Sequence, residues 1–335
     1  MKKSIKYESL NGIRTFACIG ILMMHVLTNG SYNLNHNFMN VIGSFTQLVY
    51  LFMIISSFSM CCGYYEKIKY NKISLEEFYN KRIKKTMPFF IFLIIIDVIY
   101  CQNFDSFIEG FANVTMMFNF IPNELNVIGV GWFLGLVLVF YMIFPFFVYL
   151  FSNKKRACFV TLISFVMSYF SVSYFDLTRV NMFYSFVYFC VGGFIYLFRD
   201  NIVAIVNKNR FITIFLLLFL TSLYYFKIYD AKYVSLFLVF LFGLLTCYII
   251  SIKSKILNNS LVTYFSNISF EIYLSHMLLF RVIEKLNLVN IFDNQYLSYI
   301  STCCICIIST VFFIKLYDLF FKYVSFKIKG VEKYG

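Results

Sequence analysis

Hydrophobic and polar positions divide the chain into long apolar stretches separated by short polar ones. Uninterrupted apolar runs of about 18 residues or more have the length of a membrane-spanning helix. The runs are continuous and lack the period-two alternation of barrel strands. Lipid offers the backbone no hydrogen-bond partners, so such runs become helices. The pattern predicts an all-α polytopic bundle of about ten transmembrane helices. They lie near residues 10–29, 41–63, 88–103, 130–151, 157–175, 182–198, 211–226, 233–250, 261–280 and 297–314. No long hydrophilic stretch marks a soluble domain, so residues 1–335 read as a single integral-membrane domain. The basic start "MKKSIK" before the first apolar run has the outline of a signal peptide. No A-x-A-like cleavage site follows, and the run holds Arg14 and His25, so an uncleaved first helix is expected.

Composition agrees: 61% of residues are hydrophobic and 13% charged, against roughly 25% charged in soluble domains. The net charge of +13 would suggest nucleic acid in a soluble protein. Here 23 of the 29 Lys and Arg residues fall in segments that share one side of the membrane, and 5 fall on the other. Such a bias marks the cytoplasmic side. It predicts an even number of spans with both termini cytoplasmic. The basic charge then serves topology and, secondarily, attraction to anionic membrane lipid, and no nucleic-acid partner is expected. The ten cysteines are scattered through apolar runs. Cys303-Cys304-Ile305-Cys306 is formally a C-x-x-C, but in an apolar helix it reads as small buried hydrophobes. No metal site is expected.

Four stretches carry residues ill suited to lipid. In the first, Arg14 and His25 are eleven positions apart, which returns a helix to within ~20° of the same face and separates them by ~16 Å. Taken singly, Arg14 is open to a reading as snorkelling to the headgroups, and His25 to one as a bond to a neighbouring helix. Their common stripe favours a functional path, because intramembrane ionisable groups face a bundle interior or a cavity. In the second stretch, "ISFEIYLSHMLLF", Ser269, Tyr273 and His276 share one helix face. Glu271 is 140° from His276, so the two do not pair directly. Glu271 reads equally as an interhelical bond or a catalytic group. His36 lies in a polar loop and reads as a surface residue. The third stretch places Lys81, Arg82, Lys84 and Lys85 at the mouth of the third span, with Pro88 in its first turn. This basic entrance is either topology alone or a phosphate site. The fourth contains Trp132, the only tryptophan, with Tyr141 and Pro145 downstream. Aromatics there are normally interfacial anchors.

Together the stretches resemble the acyltransferase type 3 family of integral-membrane acyltransferases. Leu10-Asn11-Gly12-Ile13-Arg14 followed by His25 resembles its L-D-G-x-R opening with a His eleven residues on. Phe52-Met53-Ile54-Ile55-Ser56-Ser57-Phe58 is similar to its F-F-x-x-S-G-F. Lys81-Arg82-Ile83-Lys84-Lys85 to Pro88 resembles its basic entry to the third helix. Trp132-Phe133-Leu134 to Tyr141 and Pro145 resembles its W-x-L…Y…P span. Ser269 to His276 resembles its S-x-x-I-Y-L-x-H helix. Asn11 replaces the usual Asp, Ser57 replaces a Gly, and no Glu follows Trp132 as it does in many members. No esterase-like extension of the kind some members carry is expected after the last span.

The resemblance implies that cytoplasmic acyl-CoA, expected to be acetyl-CoA, supplies an acyl group as co-substrate, with no further cofactor. The acceptor would be a sugar hydroxyl of a surface polysaccharide or a lipid-linked glycan, at a bacterial cytoplasmic membrane. A hydroxyl needs a general base, and histidine is tunable to neutral pH. His25 is the expected base or transient acyl carrier. Arg14 would hold the donor or polarise its thioester carbonyl. Arg82, Lys81 and Lys85 would bind the CoA phosphates. Tyr273, His276, Glu271, Trp132, Tyr141 and Ser56 would line the cavity. The rival from another class is a transporter or flippase for a glycan or lipid-linked sugar, which ten spans and a polar stripe suit equally.

Overall fold

The computed structural model describes residues 7–115, 129–228 and 233–331. Among the described residues the protein is all-helical, with 83% in helix. Seven helical segments are long and apolar enough to cross a membrane among the described residues. These are α1 (Ser9–Asn29), the segment His36–Lys69, α7 (Gly131–Leu150), α8 (Lys154–Ser173), α9 (Met182–Lys208), α11 (Val234–Ser251) and α14 (Gln295–Val331). His36–Lys69 is built of α2 (His36–Ser44), a short 3₁₀ turn, α3 (Leu48–Met60), a π-helical turn at Cys61–Tyr65 and α4 (Glu66–Lys69).

The other three predicted spans also fall on helices: α5 (Leu75–Cys101), α10 (Arg210–Tyr225), and the pair α12 (Ser260–Asn267) and α13 (Ser269–Lys285). The remaining helix among the described residues, α6 (Phe104–Val114), follows α5. Phe211, Phe215, Leu218 and Phe219 on α10 are exposed, a surface suited to lipid. The expected loop over 104–129 is helical in α6, and residues 116–128 lie outside the described residues. So do the terminal residues Lys2, Lys3, Lys6 and Lys333 and the loop residue Lys232.

Two boundaries differ from expectation. Pro88 stands well inside α5 instead of in its first turn. The helix begins earlier because Ser74 caps it, accepting from the Glu77 backbone N–H at 3.0 Å, and because Glu76 and Glu77 occupy the first turn, where the helix dipole favours carboxylates. The basic cluster is therefore helical. The run 261–280 is not one helix but breaks between Asn267 and Ser269. Glu271 consequently sits in the first turn of α13, a position favourable to a negative charge.

The chain forms two compact units interleaved in sequence: 1–17 with 46–267, and 18–45 with 268–335. In the first, α9 packs against α8, α3 and α11. Without an oil–water contrast between helices, packing relies on small residues and close approach. Gly192 and Gly193 supply it. A Cβ at Gly192 would strike the Ile54 carbonyl and Ser57, and one at Gly193 would strike the Phe147 ring. Ser57 Oγ donates to the Phe189 carbonyl at 2.6 Å, and Ser168 and Ser235 hydroxyls meet at 3.0 Å. Stacked rings fill the rest, including Phe140 on Phe189 and Phe147 on Phe151, both with centroids 4.2 Å apart. In the second unit α13 packs against α14.

Candidate functional site

In the first unit, two guanidinium groups converge on the end of α3. Arg14 Nη2 donates to Ser59 Oγ. Arg82, from α5, reaches the next residues of the same segment. Its Nη2 donates to Tyr64 Oη at 2.6 Å and its Nη1 approaches Met60 Sδ at 3.5 Å. Its guanidinium lies over the Tyr64 ring at 4.6 Å and near the Tyr141 ring at 5.9 Å. The Tyr141 phenol interacts electrostatically with both Arg82 and Arg14. Tyr64 belongs to the π-helical turn, a rare geometry that frequently occurs at functional sites.

Every partner named here is neutral, and among the described residues no carboxylate pairs with either arginine. Arg82 Nε is buried and has no hydrogen-bond partner among the described residues. An arginine at the centre of a membrane helix costs roughly 2.5–3.5 kcal/mol on insertion scales. Two half-buried guanidiniums with only neutral partners named here leave their charge without a counter-charge, and planar guanidinium forks are chemically suited to pairing with an anion.

The rest of the basic cluster is exposed. Lys81 is exposed and donates to Glu77 at 2.5 Å. That hydrogen bond holds its ammonium above the ordinary lysine pKa. Lys84 and Lys85 are exposed. Ser56 is half-buried on α3, one turn before Ser59. Trp132 is buried, and Arg179 lies over its ring at 5.1 Å while donating to Thr46 Oγ1 at 2.8 Å. Sequence reasoning missed Ser59, Tyr64 and Arg179. It also passed over Arg199, stacked on Tyr196 at 4.4 Å, and Asp97, a buried carboxylate in the apolar part of α5. Asp97 alone had a signal, an acid inside the run "FLIIIDVIY".

In the second unit the histidines meet. The ring of His25, half-buried on α1, is 5.2 Å from that of His276 on α13, tilted by 45°. Tyr273 lies 6.1 Å from His276 by ring centroids. His276 is 1% exposed, and its Nδ1 is 3.1 Å from the Ile272 carbonyl. α14 backs the pair, with Cys306 Sγ donating to the His276 carbonyl at 3.5 Å and Tyr299 Oη to the Met23 carbonyl at 3.0 Å. Cys18 Sγ donates to the Ser269 carbonyl at 3.3 Å, and Cys18 and Glu271 interact electrostatically. His36 is exposed.

All ten cysteines are free thiols. Among the described residues no three His, Cys, Asp or Glu side chains gather as metal ligands.

The multi-pass helical protein thus carries an arginine pair with neutral partners in one unit and a histidine pair in the other. The chain belongs to the type 3 acyltransferase family: the model of its acyltransferase domain matches residues 7–317, nearly the whole length. The protein is an acyltransferase. No curated protein and no solved structure matches this chain.

Proposed function

We propose that the protein is a membrane O-acyltransferase that takes an acyl group from cytoplasmic acyl-CoA. It passes that group to a sugar hydroxyl of a surface polysaccharide or lipid-linked glycan. In this reading it sits in a bacterial cytoplasmic membrane, crosses it about ten times and keeps both termini cytoplasmic. The observation that carries the reading is the arginine pair. Arg14 and Arg82 have neutral partners only, and one buried Arg82 N–H has no partner among the described residues. CoA supplies the missing anion through its phosphates.

His25 acts on the acceptor. It takes the hydroxyl proton as the oxygen attacks the thioester carbonyl, the C–S bond breaks, and the proton passes to the departing CoA thiolate. Arg14 and His25 lie on one helix, α1. A general base of this kind contributes roughly 10²–10⁴-fold.

The test is CoA release from acetyl-CoA by membranes that contain the protein, followed by mass spectrometry of the surface glycan with and without it. Acceptor-dependent thiol release with matching glycan acylation is expected. A carrier would move glycan and free no CoA, and that result would overturn the reading. The topology is checked by Lys72→Cys in a background without native cysteines. An impermeant thiol reagent should leave it unlabelled in intact cells, and labelling from outside would contradict a cytoplasmic 64–87 segment.

A further inference from the structure

His276 is built into the second unit in a way that packing alone does not explain. A carbonyl oxygen can only accept, so the 3.1 Å contact with Ile272 assigns the proton to Nδ1. In the neutral ring Nε2 then carries a bare lone pair. That nitrogen is buried and has no hydrogen-bond partner among the described residues. A buried polar atom left in this state is destabilising.

The ring of His25 faces it, with centroids 5.2 Å apart. The two rings are neighbours tilted by 45°, and His25 is half-buried, so the buried nitrogen of His276 lies beside a second imidazole. His276 itself, 1% exposed, is closed to any substrate. Whatever it does to the reaction it does through another residue.

We infer that His276 positions His25. Its Nε2 accepts the ring N–H of His25 and leaves the other nitrogen of His25 bare for the acceptor hydroxyl. The inference deepens the proposed function and rests on His25 acting as the base. A ring N–H held by an acceptor fixes the tautomer and raises the basicity of the opposite nitrogen, as outer-shell partners do for metal-bound histidines. Here the acceptor is a neutral imidazole instead of a carboxylate. It fixes the tautomer without placing an anion in the membrane, where charge is costly. Around the pair the described contacts involve Tyr273 on α13 and Cys306 and Tyr299 on α14, with Cys18 and Glu271 at the first turn of α13. Of these, Cys306, Tyr299 and Cys18 each donate to a backbone carbonyl.

Two variants of the full chain separate positioning from packing. His276→Asn keeps a donor for the Ile272 carbonyl and has no atom at the place of Nε2. His276→Gln puts an amide oxygen near that place as an acceptor. The first measurement does not need activity. Carbethoxylation of His25 by diethylpyrocarbonate is followed by fragmentation mass spectrometry at pH 8, where an ordinary imidazole is neutral. The exposed His36 serves as the internal reference.

His276→Asn is expected to lower the His25-to-His36 rate ratio about three- to tenfold, and His276→Gln to restore most of it. In the CoA-release assay His276→Asn should lower kcat about 10- to 100-fold with KM for acyl-CoA unchanged, and His276→Gln should recover part of the rate. An unchanged ratio in His276→Asn, or equal losses in both variants, overturns the assignment. If His276→Asn aggregates, His276→Leu takes its place with the same expectations. A wild-type protein that releases no CoA would overturn the acyl-CoA reading, and the carbethoxylation ratio would still decide the role of His276.

Discussion

The arginine cluster of the first unit and the histidine pair of the second handle polarity inside a membrane protein in opposite ways. Arg14 and Arg82 are permanently charged and are held by Ser59, Tyr64, Met60 and Tyr141, all neutral. His25 and His276 are titratable groups set ring to ring, one half-buried and one sealed. A fixed cation among neutral acceptors is suited to binding, because its charge persists whatever the local pH. An imidazole with a second imidazole behind it is suited to moving a proton. Binding and proton transfer should therefore separate kinetically when the two regions are altered one at a time.

His25→Ala is the largest break. It should lower kcat by about 10²–10⁴-fold, with insertion and expression retained, as read by glycan acylation and thiol release. Near-normal acylation would remove His25 from the chemistry and collapse the contrast.

Arg82→Lys and Arg14→Lys come next. Lysine keeps the charge but not the planar fork. Charge-assisted hydrogen bonds contribute roughly 1.5–3 kcal/mol each, so KM for acyl-CoA should rise about 10- to 100-fold with kcat little changed. If both conservative changes leave donor dependence untouched, these arginines serve topology alone and the donor site lies elsewhere.

A smaller effect is expected from Tyr64→Phe, which removes the 2.6 Å acceptor of Arg82 and keeps the ring beneath it. KM for the donor should rise about three- to tenfold. A fall in kcat instead would place Tyr64 with the proton-transfer groups. The smallest is Lys81→Gln. Exposed ion pairs contribute little, and Lys81 turns to Glu77. Donor KM should move less than about twofold, and a larger rise would return Lys81 to the phosphate site.

Much of this protein was legible without coordinates, for a physical reason. A span needs only its own residues to satisfy its backbone, so continuous apolar runs report helices directly. All ten predicted stretches lie on helices in the structure, and seven segments among the described residues meet the length and hydropathy of a crossing. Arg14 and His25 stood out because charge and imidazole are rare in such runs, and the helical period placed them on one stripe of what is a single helix, α1.

Tertiary structure decided how the polar groups are matched, since partners come from helices far apart in the chain. No periodicity in 81–85 distinguishes Arg82, turned to Tyr64 and Tyr141, from Lys81, turned to Glu77. Ser59 is one serine among several on α3, and only packing makes it the partner of Arg14. The helix break before Ser269 moved Glu271 from mid-span to a first turn, a local event within a run whose hydropathy does not change. His25 and His276 are 251 positions apart in the chain, and nothing short of the packed second unit brings their rings together. Hydropathy thus determined which segments enter the membrane, because that choice rests on each segment alone. The folded bundle determined which buried donor meets which acceptor, because that choice needs two segments at once.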